Sequence, residues 1–335
     1  METNGHTLCN NAFIWDDHCG FEMTPDAPIA PLLEPWRDAG IDYFSINVYY
    51  DPVHWNRCLE NIAALRRRIP QEAPWCRIVS DVDDIDVAHA SGKAAVTFDI
   101  EGMNALNGRV DLVQTYYELG VRHMLFAYNI NNLAGAGCHD EDIGLTDFGR
   151  AVIDEMNRVG MVIDCSHSGF KTTMEAMQRS NAPVVFSHSN VFALTDHGRN
   201  IRDEQIRACA KTGGVIGING LNLFLGDGDQ SQASSVARHI AYMADLVGPE
   251  HVGISLDFDP PIHESGASGS GIEELLADNP DYWPPEAGYD RPIDFLELSK
   301  LPEVCDELLK AGFLDDEITD ILGGNFRRVA EQVWK

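Results

Sequence analysis

Eight short apolar runs alternate with helix-like segments along the chain, and no other feature constrains its fold as strongly. The runs, rich in β-branched and aromatic residues, occupy 12–18, 41–48, 94–100, 123–128, 161–166, 183–187, 214–219 and 251–256. Each is nearly continuous in apolar residues, as a parallel strand covered on both faces requires. The stretch 147–159 opens on an acidic residue and stops at Gly160, which reads as an amphipathic helix, and 171–179, 203–212 and 236–247 follow the same scheme. Alternating strand and helix predict an α/β fold, and eight repeats predict a (β/α)8 TIM barrel forming one domain over residues 1–335. A doubly wound sheet fits less well, because no GxGxxG motif follows an early strand. The irregular segment 260–292, with Tyr282, Trp283, Pro284 and Pro285, follows the eighth run and reads as a loop insertion over the C-terminal mouth of the barrel. Stretches 301–311 and 316–334 read as closing helices.

Composition excludes several classes of function. The chain has 24 basic and 53 acidic side chains, a formal charge of −29, which would repel phosphate backbones and argues against a nucleic-acid partner. No apolar run approaches the ~18 residues of a membrane span. The opening METNGHTLCNN has neither the basic start nor the apolar stretch of a secretory leader. Eight cysteines form no CxxC pair and no regular framework, so they read as reduced thiols of a cytoplasmic protein.

The residues that close the runs carry the chemistry. In a barrel of this type the C-terminal strand ends face the active site. Here they bring His18, Glu101, Tyr128, His167, His188 and Asp257. Taken singly, each has an ordinary explanation, a loop histidine or a helix-capping carboxylate. Taken together, three imidazoles and two carboxylates at one end of a barrel have the composition of a metal site, suited to zinc or a related divalent ion. Val162 to His167 and Val184 to His188 are consecutive runs that both finish in Ser-His, which makes their imidazoles neighbours on the rim. Glu101, His167 and His188 would leave a fourth position for water, as a catalytic zinc site does.

These residues resemble the renal, or membrane, dipeptidase family of metallopeptidases within the amidohydrolase superfamily, in a divergent bacterial type. The resemblance rests on Glu101-Gly102; on Gly144-Leu145-Thr146-Asp147-Phe148-Gly149; and on Ile163-Asp164-Cys165-Ser166-His167. It continues through Ala182 to Ser189, Gly198-Arg199-Asn200, Asp257-Phe258-Asp259 and Gly323-Gly324-Asn325. It implies a barrel of the metal-dependent hydrolase type, a zinc-dependent dipeptidase activity and a homodimer. It also implies that Glu101 bridges two zinc ions, that His167 and His188 complete the second, that Arg199 binds the substrate carboxylate, and that Asp257 relays a proton to the leaving amine. A metal-activated hydroxide would then cleave a dipeptide or a small N-acyl amino acid, a small-molecule substrate.

Two positions depart from the family pattern. Where members read Asp-Gly-His-x-Asp, this chain reads Asp16-Asp17-His18-Cys19-Gly20. The first metal would keep only His18 and the shared Glu101, unless Cys19, Asp17 or Glu22 substitutes. The expectation is one firmly bound zinc and a second site weakened by Gly20. Tyr128 replaces a histidine that helps bind the tetrahedral intermediate. Its hydroxyl can donate to a developing oxyanion, and a packing role for the ring fits the sequence equally well. Two other classes compete with the hydrolase: a single-metal barrel lyase, such as a decarboxylase, and a catalytically silent relative that binds a small molecule.

Overall fold

In the computed structural model, which describes residues 4–226, 231–260 and 278–335, every one of the eight expected runs contains a strand or supplies one. They are β1 (Trp15–Cys19), β2 (Tyr43–Tyr50), β4 (Ala94–Glu101), β5 (Val121–Leu125), β6 (Val162–Asp164), β7 (Val184–Val185), β8 (Ile216–Ile218) and β9 (Val252–Ile254). A further strand, β3 (Cys76–Ile78), pairs beside the first residues of β4, just below the point where β5 begins to pair. At three residues, two of them part-exposed, it has no apolar run to announce it.

All pairings are parallel and run β1-β2-β4-β5-β6-β7, then β8-β9. A parallel bridge between Phe186 and Ile216 joins β7 to β8. The circle closes where Gly20 N donates to Phe258 O at 3.1 Å and Leu256 N donates to the Asp16 carboxylate at 3.1 Å. The result is a (β/α)8 barrel. Burial explains why the strands are so apolar: all eight residues of β2 and all eight of β4 are buried.

The helices follow their sequence signals. The helix Asp147–Val159 is capped by the Thr146 side chain, which accepts from Gly149 N at 3.0 Å, and it ends at Gly160 with φ +90°. The predicted closing helix 316–334 is instead three pieces, Asp315–Thr319, a π turn over Asp320–Gly324, and Asn325–Val333. The π turn coincides with Gly323, where a Cβ would stand 2.3 Å from Phe13 O, so the helix end presses directly on the chain entering β1. Past it, Phe326 closes the barrel floor with Trp15, Tyr43, Val162, Val185 and Val329. The β9 residue facing that ring is Gly253, whose absent Cβ would fall 2.5 Å from it. The floor is apolar and aromatic; the end where the strands finish carries polar side chains.

Within the 260–292 insertion, 261–277 lie outside the described residues. The described remainder packs on the β5 end: the Trp283 ring meets Tyr128 edge-on at 5.7 Å, and Asn129 Nδ2 donates to Tyr282 O at 2.9 Å.

Candidate metal centre

Strand geometry delivers the site residues to one place. His18 is the fourth residue of β1, and Glu101 is the last of β4. The β1–β2 register shifts between Asp16 and Cys19, a bulge-like irregularity. It lets the adjacent Asp17 and His18 both reach inward, Asp17 towards His123 and His18 towards Asp99. Tyr128, His167, His188 and Asp257 each follow the end of their strand by three residues. His167 and Asp257 hold φ of +62° and +55°, and Asn129 holds +60°. Left-handed backbone at non-glycine residues costs on the order of 1 kcal/mol or more and persists only where the surroundings impose it. Three such residues cluster here.

The imidazoles converge on one oxygen. Glu101 Oε1 lies 3.1 Å from His167 Nε2, 3.4 Å from His188 Nε2 and 3.7 Å from His18 Nε2. The His18 and His188 rings stack at 4.3 Å, and with Glu101 they place one donor atom each within 4.8 Å of the others. The four therefore form one cluster around Glu101, not two separated sets. Asp257 Oδ1 stands 3.4 Å from His18 Nε2, while Asn219 Nδ2 donates to its other oxygen at 2.8 Å.

Each imidazole is oriented from behind. His18 Nδ1 faces Asp99 Oδ1 at 3.0 Å, His167 Nδ1 faces Asn129 Oδ1 at 2.8 Å, and His188 Nδ1 faces Ser187 Oγ at 2.7 Å. Asn129 Oδ1 can only accept, and Ser187 Oγ donates onward to Asp164 at 2.5 Å. The protons of His167 and His188 therefore sit on Nδ1, and their Nε2 lone pairs face the centre. Those two nitrogens are 2.7 Å apart, and Glu101 Oε1 is buried without a hydrogen-bond partner. Two acceptor nitrogens at that distance repel unless a positive group stands beside them, and the Arg199 guanidinium, 2.8 Å from His167 Nε2, already supplies one. The donor set fits a divalent ion of zinc type.

Electrostatics divides the cluster. Burial, with Arg199 and His18 nearby, holds His167 well below its usual range, and burial with His18 does the same for His188. Both stay neutral, the state a metal ligand needs. Burial opposes charge on His18 too, but Glu101 and Asp99 outweigh it and hold that imidazole well above its usual value. Burial pushes the Glu101 carboxyl up to about 8.

Arg199 and Tyr128 stand on the His167 side. Arg199 is 3% exposed, its Nη2 donates to His167 Nε2 at 2.8 Å, and its Nε and Nη1 have no partner. The Tyr128 ring stacks on His167 with centroids 4.4 Å apart, so the packing contact is real. Burial, reinforced by Glu101 and Asp257, keeps the Tyr128 phenol well above its usual value and hence a proton donor. Gly20 does more than omit a side chain: a Cβ there would lie 2.3 Å from Asp257 O and 2.5 Å from Asp257 Oδ1. Asp257 occupies that space.

Sequence reasoning missed the supporting residues Asp99, Asn129, Asp164, Ser187 and Asn219. Asp99 had a signal. Thr97, Asp99 and Glu101 alternate along β4 and so share one face. The others sit on loops or in apolar runs without any periodic mark.

Residues 39–269 match the family model described as membrane dipeptidase, peptidase family M19. A dipeptidase of Schizosaccharomyces pombe, described as uncharacterized, is 33% identical over 83% of this chain and 61% of its own length. The dipeptidase aclJ of Aspergillus oryzae is 30% identical over 73% of this chain and 53% of its own. The chain thus spans somewhat over half the length of these curated relatives. Among solved structures, an amidohydrolase from Pseudomonas aeruginosa superposes with a TM-score of 0.86 at 27% identity, covering 99% of each chain.

Proposed function

This chain belongs to the membrane dipeptidase family, peptidase family M19, and from that premise we propose that it is a zinc-dependent dipeptidase acting on dipeptides or small N-acyl amino acids. The observation that carries the reading is the convergence of three imidazole nitrogens within 3.1–3.7 Å of one buried Glu101 oxygen that has no hydrogen-bond partner. The dipeptidase relatives favour a hydrolase over a barrel lyase.

Glu101, His167 and His188 would hold one firmly bound ion, with His18 marking a weaker second position. When bound, zinc supplies a water that ionises near neutral pH and polarisation of the amide carbonyl. The chain's own residues do the rest. Arg199 has two donor nitrogens already without partners, and its planar fork suits a substrate carboxylate. Phe224 lies under the guanidinium at 4.9 Å and sets its plane. Tyr128, kept protonated, donates towards the oxygen on which charge develops. Asp257, with one oxygen fixed by Asn219, turns the other to the centre beside His18, where it can carry a proton to the departing amine. Burial of His18, Glu101 and His188 excludes bulk water from around the reacting bond.

We propose a cytoplasmic homodimer. All eight cysteines are unpaired, which suits a reducing compartment. Among the described residues no helix is long and apolar enough to cross a membrane.

The test is amine release from a panel of dipeptides and N-acyl amino acids, with metal content measured on the same samples. Turnover that disappears on chelation and returns with about one zinc per chain is the expected result. A folded, zinc-loaded protein that releases no amine from any member of the panel would end the dipeptidase reading.

A further inference from the structure

Beneath the metal centre the barrel interior is polar where barrels of this class are usually filled by branched apolar side chains. His123, on β5, is 4% exposed and faces three carboxylates from three other strands. Its Nε2 donates to Asp17 O at 2.9 Å and lies 3.9 Å from the Asp17 carboxylate and 3.8 Å from Asp99 Oδ2. Its Nδ1 lies 3.5 Å from Asp164 Oδ2. The carboxylates outweigh burial and raise the imidazole to about 10, which favours its charged form.

Two of those carboxylates lead to the site. Asp99 receives His18 Nδ1 at 3.0 Å, and its other contacts, Ser45 Oγ at 2.7 Å and Asn47 Nδ2 at 3.2 Å, fix its orientation. Asp164 accepts from Ser166 N at 2.9 Å, Ser187 N at 3.0 Å and Ser187 Oγ at 2.5 Å, and Ser187 Oγ in turn faces His188 Nδ1 at 2.7 Å. The path His18–Asp99–His123–Asp164–Ser187–His188, hydrogen-bonded at its two ends and carried through His123 by charge contacts at 3.8 and 3.5 Å, therefore joins the rear nitrogens of two imidazoles that stack beside Glu101. An ion pair serving only the fold would explain His123 beside Asp17. It would not explain why its two remaining carboxylates both end on site histidines.

We propose that His123 is a positioning residue that couples the orientation of His18 to that of His188. This rests on the reading that these histidines serve a metal centre. Without His123, Asp99 and Asp164 would face each other's charge across the interior with no cation between them, which would strain the hydrogen bonds that hold each carboxylate. The support behind both imidazoles would then loosen. Outer partners of metal ligands typically govern affinity by 10- to 100-fold.

The experiment is zinc titration against a competing chelator for the wild type, His123→Gln, Ser187→Ala and the double variant, with folding checked by circular dichroism. His123→Gln should bind zinc roughly 10- to 100-fold more weakly, and Ser187→Ala should cost clearly less in the His123→Gln background than in the wild type. Wild-type affinity in folded His123→Gln, or losses that simply add, would overturn the proposal. Should His123→Gln fail to fold, Asp164→Asn cuts the same path nearer His188, and wild-type zinc affinity there overturns it equally. Zinc binding by the wild type without dipeptide turnover would remove the dipeptidase reading and leave this inference standing. A wild type that binds no zinc would remove both.

Discussion

The two sides of Glu101 are built differently. On the β6–β7 side, His167 and His188 are buried, neutral and proton-bearing only at Nδ1, so both present lone pairs to the centre. On the β1 side, Glu101 and Asp99 push the His18 imidazole well above its usual value, and the neighbouring position that could have offered a carboxylate is Gly20. One side is prepared for an ion. On the other, the carboxylates beside His18 favour a proton on its imidazole, so proton and metal compete for the same nitrogen. A shared carboxylate therefore does not make two equal sites. What separates them is the set of partners behind each imidazole.

The largest effect expected from this asymmetry lies in the ligand histidines. His188→Ala should abolish tight zinc binding and lower kcat by more than about 100-fold, beyond the loss expected for a mere supporting partner. His18→Ala should retain close to one zinc per chain and lose activity by roughly 10-fold, as an outer partner would. Elemental analysis paired with steady-state kinetics on both variants reads the difference directly. Equal loss of zinc from the two would mean that all three imidazoles serve a single ion, and the comparison would collapse.

A second, smaller effect belongs to Arg199, which leans on the β6–β7 side through His167. Hydrogen bonds to charged groups contribute about 1.5–3 kcal/mol, which corresponds to roughly 10- to 150-fold. Arg199→Ala should therefore raise KM for dipeptides with a free C-terminal carboxylate by about that factor, while leaving the matching dipeptide amides nearly unchanged. Comparing the two substrate series in one variant separates a carboxylate clamp from a packing role. Equal losses on acids and amides would assign Arg199 to the support of His167 instead.

How much of this was readable without coordinates depended on range along the chain. The eight barrel strands were legible because burial on both faces writes a continuous apolar run into each one. The helix Asp147–Val159 was legible to the residue because its acidic start and Gly160 mark its ends locally, although the residue that caps it is Thr146. The six strand-end side chains were legible because the barrel assigns chemistry to that end of every strand. Strand β3 was not, since three half-covered residues leave no pattern. Nor was the layer beneath the site. His123, Asp164 and Ser187 lie within apolar runs, where a polar residue looks like an interruption until three strands bring such interruptions face to face. The same limit applied to Gly20, which reads in sequence as a missing ligand and acquires its second meaning only beside Asp257.

That second meaning sets up the smallest and most discriminating test. If the β1 side is weak simply because a carboxylate is absent, Gly20→Asp should add a second zinc equivalent and raise activity, while Gly20→Ala should do neither. The packing predicts otherwise. A Cβ at this position meets the carbonyl oxygen and carbon of Asp257 at 2.3 and 2.8 Å as well as its carboxylate at 2.5 Å. Two of those three contacts are backbone, and that backbone carries the barrel closure, since Gly20 N bonds to Phe258 O at 3.1 Å. It cannot yield as a flexible side chain would. Both substitutions should thus cost about 1–3 kcal/mol of stability, the usual penalty of overpacking. Both should also lower kcat by displacing Asp257, with KM for carboxylate substrates little changed and zinc held on the β6–β7 side. Thermal denaturation and metal content of the two variants together decide the matter. A stable Gly20→Asp protein with two zinc ions would show that the two sides differ by one ligand alone, and that Asp257 moves aside more readily than its backbone contacts imply.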